Sequence, residues 1–167
     1  LPFVAMNVSA RQIADPRFVD RVLRMLRQYR VAPDRIKLEV TENLAFNHAR
    51  LACLIKRCHK AGVHVALDDF GTGYSNLNLL ASLHFDQIKL DQSFVRALDD
   101  PRTAALVKTI TTMAKDLDCD LIAEGVETPA QYHALRELGC RYAQGWLVGR
   151  PQPSSELITS SGLESVR

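Results

Sequence analysis

Several acidic and amide residues lie at or near the ends of short apolar segments of the sequence, where their side chains could act together. These residues are Asn7, Glu39, Asp68, Asp69, Glu124 and Gln144, and Lys89 lies near the end of a further segment. Clustered carboxylates with an amide are hard oxygen ligands, which suit Mg²⁺ or Mn²⁺ better than zinc or copper. Two such ions about 3.5–4 Å apart can clamp a phosphoryl group and activate a water for in-line attack. The residue types therefore predict metal-assisted phosphoryl chemistry.

Asp68 and Asp69 are adjacent at the end of one apolar segment. Because neighbouring side chains of a strand diverge, we expect them to serve two metals, or one metal and its water. Lys89 among carboxylates should stay protonated, and it would orient the water or meet phosphate charge. A structural ion pair with Asp91, two positions further along the same strand face, is the alternative for Lys89, and the two roles are compatible.

Alternating strands and helices must position these residues. Six apolar segments are predicted to be strands, at residues 3–8, 36–40, 63–67, 85–90, 120–123 and 141–145. Amphipathic segments with helical spacing separate them, and the first helix is predicted to begin at Asp15 and Pro16. This alternation is typical of a parallel α/β sheet. Because no glycine-rich phosphate loop follows the first strand, a TIM-type barrel is favoured over an open nucleotide-binding sheet.

The length of the chain bears on that barrel. A complete barrel has eight strands and typically about 250 residues, whereas this chain has 167 residues. We therefore predict a (β/α)8 barrel variant represented by about six of its βα units and lacking its N-terminal units. The domain is predicted to occupy residues 1–153, followed by a polar tail at residues 154–167. The carboxyl ends of all the strands would meet at one mouth, together with the polar residues above.

The composition argues against several other classes of protein. Lys and Arg number 21 and Asp and Glu 19, which gives a net charge of +2. That charge is too small to favour a nucleic-acid polymer or an anionic membrane as the main partner. The four cysteines lack metal-binding spacing and are expected to be reduced thiols of a cytoplasmic protein. The five histidines lie in predicted helices or at strand starts, away from the mouth, and are not expected to be ligands.

The motifs resemble those of the EAL domains, bacterial phosphodiesterases that act on cyclic di-GMP. The matching strings, in the family's order, are Asn7-Val8-Ser9, Glu39-Val40-Thr41-Glu42, Asp68-Asp69-Phe70-Gly71-Thr72-Gly73, Lys89-Leu90-Asp91, Glu124-Gly125-Val126-Glu127 and Gln144-Gly145. The resemblance implies a (β/α)8 barrel variant that hydrolyses one phosphodiester of cyclic di-GMP to linear pGpG with two Mg²⁺ or Mn²⁺ ions.

The resemblance also implies a role for each matching residue. The implied metal ligands are Asn7, Glu39, Asp68, Asp69 and Glu124. Glu124 is also implied to be the general base, and Lys89 the catalytic lysine that orients the water. Gln144 is implied to lie near the metal site, and Glu42 to fix the loop at residues 69–75, which in the family contributes to dimerisation. Supporting or substrate-contacting roles fall to Asp91, Glu127, Phe70, Gly71, Thr72 and Gly73.

One family motif is not found in this sequence. The Glu-Ala-Leu string and the arginine just after it lie upstream of the Asn-Val-Ser strand in the family. Because all the downstream ligands are present, we expect a part of an active-type domain. The implied partners are cyclic di-GMP, a second copy of the domain, and flanking sensory or GGDEF domains in a cytoplasmic or membrane-anchored parent chain.

Two alternatives come from other functional classes. The first is a receptor that binds cyclic di-GMP without cutting it, or an inactive fragment without the Glu-Ala-Leu glutamate. The second is an aldolase-type barrel that forms a Schiff base on Lys89. That chemistry requires a lysine of lowered pKa, whereas a ring of carboxylates should raise the pKa.

Overall fold

The computed structural model describes residues 3–42, 48–72 and 77–153 of the chain. Within them, six strands alternate with helices. The strands are β1 (Val4–Asn7), β2 (Ile36–Thr41), β3 (His64–Phe70), β4 (Gln87–Leu90), β5 (Asp120–Ala123) and β6 (Tyr142–Ala143). Each of the six predicted strands is therefore confirmed, with shifts of one to three residues at some ends. The predicted tail at residues 154–167 lies outside the described part of the chain.

The helices lie between these strands. They are α1 (Ala10–Ala14), α2 (Phe18–Gln28), α3 (His48–Ala61), α4 (Leu77–Ser82), α5 (Gln92–Arg96), α6 (Pro101–Asp116) and α7 (Pro129–Glu137), with a 3₁₀ turn at Pro33–Arg35. No helix among the described residues has both the length and the apolar character needed to cross a membrane.

The region after β1 differs from the prediction. Ser9 caps the unpredicted helix α1 through a capping box with Gln12, and Asp15 ends that helix in an extended conformation. The second helix, α2, then begins at Phe18, with Arg17 as its N-cap. The predicted helix start at Asp15 and Pro16 is therefore wrong. An Asp-Pro pair is typical of a helix start, but here the Asp15 carboxylate accepts from the Arg17 N–H at 2.9 Å in the link between two helices.

All neighbouring strands are parallel, and their order in the sheet is β1-β2-β3-β4-β5-β6. Each new strand is added to the same edge of the sheet as the strand before it. Because the crossovers between parallel strands are right-handed, every helix then lies on one face of the sheet. The sheet therefore curls, with its other face forming a barrel interior. Among the described strands, β1 and β6 form the two edges. The predicted (β/α)8 barrel variant with six βα units is confirmed as a six-stranded half-barrel.

Side-chain alternation assigns the two faces of the sheet. In β2, Leu38 and Val40 are fully buried and belong to the same core cluster as Leu51 and Leu54 of α3. Burial of each such aliphatic side chain contributes about 1.5–3 kcal/mol. Residues in alternate positions, such as Glu39, point to the opposite face. The apolar side chains of β2 therefore belong to the core shared with α3. Its polar side chains face the barrel interior.

Candidate active site

Lys89 of β4 lies at the centre of a group of carboxylates. Its Nζ atom is 2.8 Å from an oxygen of Glu124, 2.9 Å from one of Asp68 and 3.1 Å from one of Glu39. Lys89 is only 5% exposed. The three acids belong to β2, to β3 and to the position directly after β5. The carboxyl ends of neighbouring strands thus converge on one cation, as the sequence predicts.

The charge of Lys89 depends on these contacts. Burial alone would lower the pKa of Lys89, because it disfavours the charged form. Its hydrogen bonds to Glu124 and Asp68, together with the negative charges of Glu124 and Glu39, outweigh that effect and hold the pKa of Lys89 above its usual value. These contacts favour the protonated form of Lys89, in agreement with the sequence-based expectation.

The alternative partner of Lys89 is not found. Asp91 does not form an ion pair with Lys89; among the described residues, the acids paired with this lysine are Glu39, Asp68 and Glu124. Asp91 is instead the N-cap of α5, where its carboxylate accepts from the Ser93 N–H at 2.9 Å. The predicted ion pair is wrong because the chain leaves the strand at Asp91 and turns into a helix.

Asp68 and Asp69 lie in an irregular part of β3. The register between β3 and β4 shifts between Leu67 and Phe70, and Asp69 has a φ of +56°. Such a bulge interrupts the normal alternation of side chains and re-aims them. As a result, one carboxylate oxygen from each of Asp68, Asp69 and Glu124 lies within 4.8 Å of the others. Both aspartates therefore face the same small volume as Glu124, and their service of two metals, or of one metal and its water, stays a prediction.

The acids at this end of the sheet repel one another. The pKa of Asp69 is raised by burial and by the negative charges of Asp68 and Asp91. Burial also raises the pKa of Glu124, although its hydrogen bond with Lys89 acts in the opposite direction. One ammonium group cannot balance the carboxylates of Glu39, Asp68, Asp69 and Glu124. Close oxygen donors with excess negative charge are a suitable donor set for a hard divalent cation.

Asn7 is the last residue of edge strand β1, and Gln144 directly follows the other edge strand, β6. Asn7 is in register with Glu39, so its side chain lies on the same face of the sheet. The Gln144 N–H donates to the Ala123 carbonyl at 2.8 Å, which places Gln144 beside Glu124. Both residues are exposed. Their positions suit the implied roles, which stay predictions.

Glu42 contacts the loop that follows β3. It is 8% exposed, and its carboxylate accepts from the Gly71 N–H at 3.4 Å. The Thr72 hydroxyl donates to the Asp69 carbonyl at 3.0 Å. Phe70 is 3% exposed and packs in the core instead of facing the mouth. Gly73, also a predicted site residue, lies outside the described residues.

Glu127 lies apart from the cluster around Lys89. It is exposed, and its backbone N–H donates to the side chain of Gln131 near the start of α7. A substrate-side role for Glu127 stays a prediction.

Helix α5 (Gln92–Arg96) is not among the elements predicted from the sequence. This helix brings Gln92 and Phe94 against two glycines of the site loops, Gly125 and Gly71. Asp91 followed two positions later by Ser93 is a sequence that allows an N-cap. That signal could have indicated the helix, although not the glycine contacts.

Comparisons with known proteins agree with this geometry. A sequence model of the EAL domain matches residues 1–151. Among curated proteins, the bifunctional diguanylate cyclase/cyclic di-GMP phosphodiesterase MucR of Pseudomonas aeruginosa is 40% identical over 159 residues, which cover 94% of this chain and 23% of MucR. The probable cyclic di-GMP phosphodiesterase PdeA of Escherichia coli is 37% identical over 157 residues, covering 93% of this chain and 22% of PdeA. The chain thus spans less than a quarter of the length of either relative.

Solved structures are similar over nearly the whole chain. The EAL enzyme Bd1971, bound to cAMP and cyclic di-GMP, superposes with a TM-score of 0.91 and 31% identity, covering 96% of this chain and 43% of that one. The manganese and cyclic di-GMP complex of BlrP1 from Klebsiella pneumoniae superposes with a TM-score of 0.84 and 32% identity, covering 89% and 39% of the two chains. A divalent metal and cyclic di-GMP therefore occur together in a structure of this fold.

Proposed function

The chain belongs to the EAL domain family, and we propose that it carries the metal-dependent centre that hydrolyses cyclic di-GMP to linear pGpG. One observation carries the proposal. Lys89 is held between Glu39, Asp68 and Glu124, while the β3 bulge brings Asp69 to the same place. This arrangement combines one buried cation with an excess of hard oxygen donors. It suits a phosphodiester, which needs its negative charge neutralised before a water can attack.

The proposed metal ligands share one end of the sheet. They are Asn7, Glu39, Asp68, Asp69 and Glu124. Two Mg²⁺ or Mn²⁺ ions held there would polarise the phosphodiester and activate the attacking water. The close approach of Asp68, Asp69 and Glu124 supports one such position directly. The number of ions and their identity belong to the proposal.

Glu124 and Lys89 have different roles in the proposed reaction: Glu124 accepts a proton, and Lys89 stays protonated. The raised pKa of Glu124 suits a general base, which must take a proton from the attacking water. The water oxygen then bonds to phosphorus as one P–O bond to ribose breaks. The leaving ribose oxygen takes up a proton from solvent, and Glu124 releases the proton it accepted to solvent. Lys89 keeps its own proton, because its pKa is raised. It can therefore orient the water or stabilise phosphate charge without acting as a base.

The same pKa argues against the aldolase alternative. A Schiff-base lysine needs a neutral amine at working pH, which a raised pKa prevents. Borohydride with a carbonyl substrate should therefore fail to label Lys89.

The partners and location also belong to the proposal. We infer that cyclic di-GMP is the ligand, that two copies of the domain associate, and that sensory or GGDEF domains flank it in a cytoplasmic or membrane-anchored parent. The name of MucR, a bifunctional cyclase and phosphodiesterase, supports the neighbouring cyclase.

The test is turnover of cyclic di-GMP by this chain and by the longer parent protein. Each is incubated with cyclic di-GMP and Mn²⁺ or Mg²⁺, with and without EDTA, and pGpG is separated by chromatography. We expect metal-dependent pGpG formation, and a loss of about 10²–10⁴-fold in kcat for Glu124→Gln in the parent. Glu137→Gln, at an exposed position of α7, is the matched control with unchanged turnover. Binding of cyclic di-GMP by the parent without any turnover would instead identify a receptor.

A further inference from the structure

The short helix α5 lies between the two loops that carry Asp69 and Glu124. Gly71, two residues after Asp69, has a φ of +98°, and a Cβ atom there would lie 2.8 Å from Cζ of Phe94. Gly125, directly after Glu124, has a φ of +69°, and its Cβ would lie 2.5 Å from Cβ of Gln92. Both loops thus approach α5 so closely that only glycine fits.

Backbone hydrogen bonds connect the same three segments. The Asp91 N–H, at the start of α5, donates to the Phe70 carbonyl at 3.3 Å. On the other side, the Glu124 N–H donates to the Leu90 carbonyl at 3.0 Å. The junction of β4 and α5 is therefore bonded to both acidic loops. Val95, which is 1% exposed, anchors α5 in the core.

We propose that Phe94 is a positioning residue that sets the spacing of Asp69 and Glu124 and so the affinity of the centre for divalent cations. This inference rests on the proposed function, because it takes these two acids as metal ligands. The ring of Phe94 lies against Gly71 and prevents this glycine from moving closer to α5. It thereby fixes the position of the left-handed turn that follows Asp69. Cβ of Gln92 lies against Gly125 on the other side. Residues behind the ligands commonly change metal affinity by about 10–100-fold when they are removed.

The ring of Phe94 distinguishes it from Gln92. Its contact with Gly71 is made by the far edge of the ring, so Phe94→Ala removes it completely. The contact of Gln92 with Gly125 is made by Cβ, which Gln92→Ala retains. We therefore expect a strong effect from Phe94→Ala and almost none from Gln92→Ala.

The test compares Phe94→Ala with Val95→Ala. Val95 lies in the same helix and is more deeply buried, but its side chain points into the core, away from Gly71. The dissociation constant of Mn²⁺ is measured without substrate, from the electron paramagnetic resonance signal of free Mn²⁺. Folding is followed in urea by the fluorescence of Trp146, the one tryptophan of the chain. We expect Phe94→Ala to weaken Mn²⁺ binding about tenfold, and Val95→Ala to leave it within about twofold although it also lowers the stability of the fold.

Three outcomes would overturn the inference. They are unchanged Mn²⁺ affinity in folded Phe94→Ala, equal weakening in Val95→Ala, and no Mn²⁺ binding by the unaltered chain. If Phe94→Ala does not fold, Phe94→Leu decides, with at least about threefold weaker Mn²⁺ binding expected and unchanged binding overturning the inference. Because Mn²⁺ binding needs no cyclic di-GMP, a chain that binds Mn²⁺ without turnover defeats the proposed function alone. Normal turnover with unchanged Mn²⁺ affinity in Phe94→Ala defeats this inference alone.

Discussion

Two lysines in the barrel interior, Lys37 of β2 and Lys89 of β4, are almost equally buried but differ in charge environment. They are 8% and 5% exposed. Lys37 donates to the Gln87 side chain at 2.8 Å, and its Nζ lies 4.2 Å from the centre of the Phe3 ring. Burial lowers the pKa of Lys37, and the more distant charges of Asp120 and Asp86 only oppose this. For Lys89, adjacent carboxylates reverse the effect of burial and raise the pKa.

Position along the strand explains this difference. Lys37 lies near the amino end of the sheet, two residues before Glu39, and Lys89 lies near the carboxyl end. Two residues along a strand span about 6.6 Å. Over that distance, the groups that a buried lysine can contact change from neutral side chains to carboxylates. Burial therefore does not decide whether a lysine of this barrel supports the fold or takes part in a reaction. The groups that contact the ammonium decide it.

The acids at the two ends differ in the same way. Asp86, at the amino end, accepts from the Val65 N–H at 2.6 Å and lies 2.9 Å from a ring nitrogen of His59 and 3.2 Å from one of His64. This carboxylate is surrounded by donors. At the carboxyl end, acids outnumber the cations near them. A carboxylate whose neighbours are hydrogen-bond donors stabilises the fold, and a group of carboxylates with excess negative charge can bind cations.

The largest effect that tests this contrast is expected for Lys89→Met. Removal of the ammonium group leaves the buried oxygens of Glu39, Asp68 and Glu124 without their shared partner. Breaking such a buried ion pair costs about 3–5 kcal/mol of unfolding free energy, and kcat for cyclic di-GMP should fall about 10²–10⁴-fold. Urea unfolding without metal and chromatographic turnover assays in the parent protein measure the two effects.

Lys37→Met is the matched control. It leaves Gln87 without its donor, but it also removes the cost of burying a charge. We expect the unfolding free energy to change by about 1 kcal/mol or less and turnover to stay the same. Equal loss of turnover in the two variants would mean that burial, and not the carboxylate partners, makes a lysine of this barrel necessary for turnover.

A medium effect is expected for Asp86→Ala at the amino end. The variant leaves the Val65 N–H and the two imidazoles without their acceptor, which costs about 1–3 kcal/mol of unfolding free energy. Turnover per folded molecule should be unchanged. Asp99→Ala, at an exposed position, is the control for loss of one surface charge.

The pH dependence of that effect has a definite sign. Burial would raise the pKa of Asp86, but hydrogen bonds from the Val65 N–H and from His59 and His64 outweigh it and hold the pKa below the ordinary 3.8. The stability contributed by ionised Asp86 is therefore fully present above pH 3.8 and is lost as the pH falls through the lower, folded-state value. Urea unfolding of the unaltered chain and of Asp86→Ala should show that the difference in their unfolding free energies narrows only in that acidic range. A gap that widens there would contradict the assignment.

The smallest effect on stability and turnover is expected at Asp118, which has the same left-handed backbone conformation as Asp69 but lies at the amino end of the sheet. Asp118, just before β5, has a φ of +53°, close to the +56° of Asp69. Asp118→Gly should raise the unfolding free energy by less than about 1 kcal/mol, since glycine tolerates this region of backbone conformation. Thermal unfolding and turnover assays should find an equally active protein. Asp69→Gly at the matching conformation should instead lose Mn²⁺ binding, because it removes a ligand.

Much of the fold and of the site follows from local patterns. The six strands are visible because short apolar segments are separated by segments with helical spacing. For β5 the predicted and observed bounds agree. The acids at strand ends are also visible, since parallel strands must align their carboxyl ends. Helix α5 and the start of α2 were missed, because short helices are set by local caps whose signals compete with those of turns and linkers.

The sequence by itself determined the parallel α/β architecture, the polar end of the sheet and the residue types that could bind a divalent cation. These follow from periodicity and from chemical identity, which are local properties. Tertiary structure decided that Lys89 pairs with Glu39, Asp68 and Glu124 and not with Asp91, and that Asp69 turns toward Asp68 at a bulge. It also decided that α5 separates Gly71 from Gly125. Each of these depends on register and on contacts between strands far apart in the chain, so no local pattern contains it.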